Sequence, residues 1–351
     1  MRALPLWIKL LGAIGALALA CVALAFIPTG QVAYAPYDPV DIEGSIKVDG
    51  TDVEPLQGRM YLVGVTQRKV HLLQRLLLDI GDSSVDFGPE PTDANDEGAS
   101  QDDVDSMARA QEVAAALAFQ LDGQSVEWSG KGATITGVVT GTPAAGALKA
   151  GDVVLRVNAT EVDNGVDLGR VLGALPVGRA VTLRVRRAGT PVVVRMTTIA
   201  PIQGDTLHRS RIGAQLDTID LQVRLPRKVT INPGKVVGPS AGLAFTLYLY
   251  DSLDKDVDLL GGRHVVVSGA VAPDGRVREV GRVRQKAIAA QLANRDVLIV
   301  PMGNVEEADT AIKDACPKDA RCVRVIGVGT VREAVDALRD DRTGSEAANP
   351  G

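Results

Sequence analysis

The sequence predicts a multi-domain chain with a single N-terminal transmembrane helix, a small β-rich α+β domain and a larger α+β domain. Three observations predict it. An uncharged apolar segment lies near the N-terminus, short strands with glycine turns fill 125–200, and an almost wholly apolar helix followed by buried strands lies within 205–340. The 351 residues are enough for two or three domains. The formal net charge of -5 excludes nucleic acid as a general partner, because phosphate binding needs a basic face.

The N-terminal segment predicts a membrane span over residues 10–28 after a stub at 1–9. No charged residue occurs in 10–27, and a helix needs about 20 apolar residues to cross a bilayer. Positive charge precedes the segment and acidic residues follow it, so the positive-inside rule places the stub in the cytoplasm. The prediction is a single-pass protein of the cell membrane whose bulk is extracytoplasmic and whose partner at 10–28 is the lipid bilayer.

Two alternatives remain open for this segment. Ala-Tyr-Ala at 33–35 fits the small-residue pattern of signal-peptide cleavage. Acylation of a lipoprotein at Cys21 is the other, but Cys21 lies inside the apolar run with Ala18, a poor match, three positions before it. Cys21 is interpreted as a membrane-buried thiol.

The other two cysteines, Cys316 and Cys322, lie close together in a polar loop. An exported domain can keep a disulfide there, and the sequence leaves open whether it forms. They are too few and too isolated for a zinc site, so no metal is predicted.

Residues 38–121 are predicted to form an extracytoplasmic N-terminal region with strands in 58–70 and helices over 71–80 and 106–121. An acidic loop at 90–105 lacks an apolar period, so we expect it to be solvated. It also lacks the spaced ligands and glycine turn of a calcium loop.

The small domain is predicted over 125–200. Its expected strands are 133–140, 153–157, 181–186 and 191–198, and its expected helices are 143–148 and 166–175.

The run from Gly141 to Asp152, followed by Val153 to Asn158, resembles the PDZ domains of bacterial exported proteases. That resemblance implies binding of chain termini by strand addition beside a helix, here between 134–139 and 166–175. It gives 130–132 as the candidate carboxylate-binding loop. The alternative is a domain that only spaces its neighbour from the membrane.

The sequence Gly-Pro-Ser-Ala-Gly at 238–242 opens the apolar run 243–249, which predicts a buried helix. Ser240 falls in its first turn, where backbone N–H groups and the positive end of the helix dipole can hold an oxyanion. A serine that merely caps a core helix is the alternative.

A second helix is predicted to begin at Gly281 and to carry Lys286 on its apolar face. Val283, Ala287, Ala290 and Ala293 share that face at spacings of three and four. Burial favours the neutral amine and lowers the lysine pKa toward that of a useful base. The alternative is a lysine that extends to solvent from the helix edge.

Together these segments resemble the proteolytic domain of the Lon family over about 212–338. The resemblance implies that Ser240 is the nucleophile and Lys286 the general base, and it places Ser268 where a hydroxyl supports the lysine. It also implies that backbone amides from Gly238 to Ala241 hold the oxyanion. The whole proteolytic domain is expected at 205–340, before a polar tail at 341–351, and a homo-oligomer is implied by the same resemblance alone.

Three residues depart from the family pattern: Val237 stands where an acid is frequent, and Arg282 and Arg284 replace a glycine and a lysine. No phosphate-binding Gly-x-x-x-x-Gly-Lys-Ser/Thr sequence occurs, so neither ATP nor another cofactor is predicted. The expected function is an ATP-independent serine endopeptidase that cleaves extracytoplasmic or membrane-associated proteins or peptides.

Two other functions compete with this one. The motif at 238–242 also fits the nucleophile elbow of Ser-His-Asp esterases. However, only His264 follows Ser240, too soon for that fold, while His71 and His208 precede it. The non-enzymatic alternative is a membrane-tethered PDZ adaptor with a degenerate protease domain.

Overall fold

The computed structural model describes residues 5–49, 56–81, 84–90, 101–201, 210–234, 236–254 and 256–348. The elements before the small domain are α1 (Leu6–Phe26), β1 (Pro28–Pro36), β2 (Val40–Asp41), β3 (Ile46–Val48), β4 (Arg59–Leu62), β5 (Val65–His71), α2 (Leu72–Gly81), β6 (Asp86–Pro89), α3 (Gln101–Leu121) and β7 (Glu127–Ser129).

Helix α1 covers most of the predicted span at 10–28. Across the described ranges, no helix combines the length and apolarity that a membrane crossing requires. Membrane attachment therefore stays a prediction.

The elements of the small domain are β8 (Ala133–Val138), β9 (Val153–Val157), β10 (Thr160–Glu161), α4 (Gly165–Gly173), β11 (Ala180–Arg187), β12 (Thr190–Thr197) and β13 (Ala214–Thr218). The strand order is β12-β11-β9-β8-β13, every pair is antiparallel, and β10 also pairs with β9. Its apolar core, with Leu168 and Leu183 fully buried, is separate from that of the rest of the chain. The predicted helix at 143–148 is wrong, because these residues form only turns around the bond from Leu148 N to Ala144 O.

The remaining elements are β14 (Gln222–Arg224), β15 (Val229–Ile231), a 3-10 turn (Pro239–Ala241), α5 (Gly242–Leu253), β16 (His264–Val267), β17 (Ala270–Val271), β18 (Val277–Arg278), α6 (Val283–Leu292), β19 (Val297–Pro301), a second 3-10 turn (Met302–Asn304), α7 (Val305–Ala315), β20 (Arg324–Val328) and α8 (Val331–Ala348). The predicted buried helix is α5, of which ten residues, from Gly242 to Asp251, are buried.

A five-stranded sheet of order β2-β4-β16-β19-β20 forms the centre of the larger domain. Strands β4, β16, β19 and β20 are parallel, while β2 runs antiparallel to β4. Since β4 comes from the N-terminal region, residues on both sides of the small domain build this one sheet. The hydrogen-bonded pair β3–β15 joins the same two regions.

One hydrophobic core also unites the two regions. Phe119 of α3 and Met60 of β4 belong to the same buried cluster as Phe245 of α5 and Val265 of β16. The regions predicted at 38–121 and 205–340 are therefore packed as a single unit, and the small domain is inserted between them.

Residues 91–100, at the centre of the predicted acidic loop, lie outside the described residues, as does His208. The predicted helix at 106–121 is observed but begins earlier, at Gln101.

Candidate active site

A sharp backbone turn places Ser240 just before α5. Gly238 precedes it with φ +92° and ψ 159°, a conformation that only glycine adopts readily, and Pro239 then opens the 3-10 turn. A Cβ at Gly242 would lie 2.9 Å from Cγ2 of Val271, so the second glycine of the motif is required by close packing. The two glycines thus bring a half-buried serine to the entrance of a buried helix.

Two main-chain hydrogen bonds join this turn to the end of β16. The N–H of Gly269 donates to the carbonyl of Ser240 at 2.8 Å, and the N–H of Leu243 donates to the carbonyl of Gly269 at 3.0 Å. A Cβ at Gly269 would come within 3.0 Å of Val277 and Leu243. The residue before this glycine is Ser268, which is therefore held beside the turn that carries Ser240.

Lys286 lies on α6 with only 5% of its surface exposed. Its Nζ donates to Oγ of Ser268 at 3.1 Å. Burial lowers the pKa of Lys286 to about 8, because the charged ammonium loses its hydration. The lowered pKa increases the neutral fraction of this amine relative to an exposed lysine, and the neutral amine is the form a general base needs.

The two arginines near Lys286 have other partners. Arg282, in the left-handed conformation just before α6, pairs with Asp86 at 2.5 Å and stacks over the ring of Tyr34. Arg284 pairs with Asp314. Both arginines that depart from the family pattern are therefore engaged in ion pairs. Helix α6 begins at Val283, two residues later than predicted.

Two successive contacts connect the predicted site residues Lys286, Ser268 and Ser240. Lys286 and Ser268 are in direct contact, and Ser268 is linked to Ser240 through Gly269. Gly238 and Ala241 both lie in the same turn as Ser240 and are buried. Their roles in catalysis remain predictions.

Helix α3 supports this turn, a contact that was not predicted from the sequence. Ala110 of α3 lies 3.7 Å from where a Cβ of Gly242 would stand, and α3 packs along α5. The signal was present in the run of small and apolar residues at 113–119, all of which are buried.

His264 occupies the opposite end of β16 from Ser268. Ser268 follows the last residue of β16 and is four positions after His264, which corresponds to roughly 13 Å of extended chain. Its Nδ1 lies 3.1 Å from Oη of Tyr61 and 3.2 Å from the guanidinium of Arg295. His264 therefore belongs to a separate polar cluster, and this arrangement disfavours a Ser-His-Asp site around Ser240.

The predicted peptide groove beside 134–139 is wrong, because β8 has a neighbour on each side, β9 and β13. On the β8 side of the sheet the edge strand is β13, and this strand lies near α4. The candidate carboxylate loop is also wrong: the amides of Lys131 and Gly132 donate to the carbonyls of Ile219 and Asp163.

Replacing Ser268 with alanine is expected to slow turnover by roughly 10- to 100-fold, because the buried amine of Lys286 then loses its hydrogen-bond partner and its fixed position. Ser268→Thr keeps a hydroxyl and should retain most activity. The measurement is kcat against pH for a peptide substrate. A purely structural role is indicated if both variants lose stability and activity in parallel without a change in the pH profile.

Comparison with protein families identifies both domains. Residues 121–198 match the PDZ domain, and residues 209–337 match the Lon protease (S16) C-terminal proteolytic domain. The chain therefore carries a PDZ domain and a Lon-type proteolytic domain, and the second supports a peptidase. No curated protein matches the chain.

Solved structures similar to this chain include PDZ domains of SdrC-like proteins from two Listeria species. The domain from Listeria monocytogenes is 20% identical, with 24% of this chain and 87% of that chain covered and a TM-score of 0.23. The domain from Listeria innocua is also 20% identical, with 24% and 92% covered and a TM-score of 0.22.

Proposed function

We propose that the chain is an ATP-independent serine endopeptidase in which Ser240 is the nucleophile and Lys286 the general base. The observation that carries the proposal is the buried 3.1 Å hydrogen bond from Lys286 to Ser268, next to the strand end that is bonded to the Ser240 turn. A lysine in such a place is costly to a fold, and its lowered pKa suits proton transfer.

In the proposed mechanism, the neutral amine of Lys286 takes the proton of the Ser240 hydroxyl as its oxygen attacks the peptide carbonyl. The tetrahedral oxyanion is stabilised by the amides of Ser240 and Ala241 at the positive end of α5. The ammonium then gives its proton to the leaving amine. Water, activated by the same lysine, releases the acyl group from Ser240.

Ser268 acts as a positioning residue in this scheme. Its hydroxyl accepts from Nζ and so holds the amine in one place while the proton moves. Gly238 and Gly269 act through the backbone, because neither the turn nor its contact with the strand end tolerates a side chain.

The proposal is tested by incubating the full chain in detergent with an unfolded protein, without ATP. We expect cleavage to proceed and added ATP to leave the rate unchanged. No cleavage of any unfolded protein or peptide would favour the PDZ adaptor instead, and a requirement for ATP would contradict the proposal.

We further propose that the PDZ domain receives the C-terminal ends of substrates along β13. The face between β13 and α4 is lined by partly buried apolar side chains, namely Ala214, Leu216, Val171 and Leu175. An added strand would bond to the outer edge of β13 and place alternate side chains on this apolar lining. Gly213, with φ +83° and a Cβ position only 2.1 Å from Thr142, fixes the turn that starts the strand.

Leu216→Ala is expected to weaken the binding of an unstructured C-terminal peptide by roughly 10-fold, because an apolar contact in the groove is lost. The matched control is Val193→Ala, which removes an exposed apolar side chain from β12 at the other edge of the sheet. Fluorescence titration measures both. Equal affinities for the parent and Leu216→Ala would rule out this groove.

The proposed location is the extracytoplasmic side of the cell membrane, with the chain held by residues 10–28. The disulfide between Cys316 and Cys322 supports an oxidising compartment, since such bonds are rare in the cytosol.

Thiol counting in cells tests this location. Under denaturing conditions we expect one reactive thiol, that of Cys21, before reduction and three after it. Three thiols before reduction, or a full-length protein recovered with the soluble cytosol, would contradict the proposed location.

A further inference from the structure

Helix α2 directs three of its large apolar side chains away from the protein, while its other leucines are partly buried. Leu76, Leu77 and Ile80 are 45%, 63% and 87% exposed, and their spacing of one, three and four places them on one face. None of the ten residues of α2 is buried. The helix therefore presents an uncovered apolar stripe.

Arg75 of α2 is turned toward the protein, with 27% of its side chain exposed. Arg75 donates from Nε to Oε1 of Gln31 at 3.2 Å, stacks 3.7 Å from the ring centroid of Phe87 and pairs with Asp79 one turn along. A surface helix in water normally buries its apolar stripe and exposes its charges. In α2, Leu76, Leu77 and Ile80 are exposed while Arg75 is held against the protein by these contacts.

The apolar stripe continues onto α1. The two helices pack together, and the N–H of Leu72 donates to the carbonyl of Ile27 at 2.9 Å, so α2 starts where α1 ends. Large apolar side chains of α1 are exposed along its length, each by more than half: Trp7, Leu10, Leu11, Ile14, Leu19, Val22 and Phe26. A continuous apolar surface of this kind marks an interaction site.

We infer that α2 lies in the headgroup region of a lipid bilayer, with Leu76, Leu77 and Ile80 directed into the lipid. This inference rests on the proposed membrane attachment. The occupant is lipid rather than a second copy because the stripe continues onto the apolar α1 and because α2 begins at the level where α1 ends. A helix with an apolar outer face and charges on the other side is the form that lies in the plane of the interface.

A bilayer against α2 would also lie close to α6, the helix that carries Lys286. Ser84, just beyond α2, accepts from Nε2 of Gln285, and Asp86 pairs with Arg282. Gln285 is the neighbour of Lys286 in α6. A bilayer under α2 therefore holds the catalytic unit at the membrane surface, and the favoured substrates are polypeptide segments that lie near that surface.

Site-directed fluorescence tests the inference on the full chain. In a Cys21→Ala background, an environment-sensitive dye is attached at Leu77→Cys, with Leu11→Cys in α1 as the probe of attachment and Thr190→Cys at the exposed start of β12 as the water control. Each protein is reconstituted in phosphatidylcholine–phosphatidylglycerol vesicles with and without nitroxide lipids. The readout does not depend on protease activity.

The expected result is a blue shift and nitroxide quenching at position 77, as at position 11, and neither at position 190. Quenching at 11 without quenching at 77 would overturn the inference while membrane attachment stands. The absence of a response at positions 11 and 77 would overturn both this inference and the proposed membrane attachment. Cross-linking of two Leu77→Cys chains without quenching by lipid would instead assign the stripe to a contact between copies.

A second variant adds a functional readout. Leu77→Gln with Ile80→Gln is expected to slow cleavage of a vesicle-tethered peptide several-fold and to leave cleavage of the same peptide in solution unchanged. Equal rates with both forms of the peptide would overturn the inference. If neither form is cleaved by the parent, the proposed protease function fails and the fluorescence result still decides the position of α2.

Discussion

Lys286→Met is expected to abolish peptide-bond cleavage, with a loss of roughly 10³- to 10⁴-fold or more, because no other base replaces the amine. The side chain is buried and its one polar contact is Oγ of Ser268. Methionine fills a similar volume without a charge. The measurement is kcat/KM for a fluorogenic peptide at pH 8.

The variant should also be at least as stable as the parent. Moving the lysine pKa from 10.5 to about 8 corresponds to roughly 3 kcal/mol of unfavourable burial of the charged form at neutral pH. Removing the amine removes that cost, so thermal unfolding at pH 7 separates lost chemistry from lost structure. The matched control is Lys313→Met on the exposed side of α7, which should keep full activity. An active Lys286→Met protein would rule out the lysine as base.

Ser240→Ala is expected to produce the second large loss, also roughly 10⁴-fold or more, because the covalent route through the acyl-enzyme is then closed. The backbone of the turn should be unchanged, since Ser240 contributes its carbonyl, not its side chain, to the bond with Gly269. The variant should therefore still bind peptides at the PDZ domain.

The matched control for this variant is Ser252→Ala, near the other end of α5, where the hydroxyl bonds only to the carbonyl of Tyr248. That protein should cleave at the parent rate. Comparable rates for Ser240→Ala and the parent would show that the nucleophile lies elsewhere.

The local elements of the site could be predicted because their patterns are strong. The apolar run after Ser240 predicted the buried helix α5. The alanines that share a helix face with Lys286 predicted that this lysine is buried. The contact between Lys286 and Ser268 followed from the order of these motifs in a known family.

The assembly of the larger domain could not be predicted in the same way. Strand β4 has four residues and pairs in parallel with β16, about 200 residues further along the chain. A short strand carries no sequence signal for a partner at that distance. The insertion of the small domain between two halves of one core therefore emerged only from the structure.

The error in the peptide groove has a related cause. Strand β13 lies beyond the stretch 125–200 that was predicted as the small domain, and it covers the edge of β8. Turn and strand patterns predict elements but not which edge of a sheet stays open. The main-chain hydrogen bonds of Lys131 and Gly132 could not be predicted from the sequence either, because their acceptor carbonyls belong to segments distant in the chain.

The most direct test of the central claim is the pH dependence of Ser240 modification by a peptidyl phosphonate, followed by mass spectrometry. Lys286 must be neutral to activate the serine, so the rate should rise with pH through a midpoint near 8 and then level off. The predicted result is one modified residue, Ser240, and no modification in Lys286→Met. Modification at another residue, or an undiminished rate at Ser240 in Lys286→Met, would contradict the assignment of the serine–lysine pair.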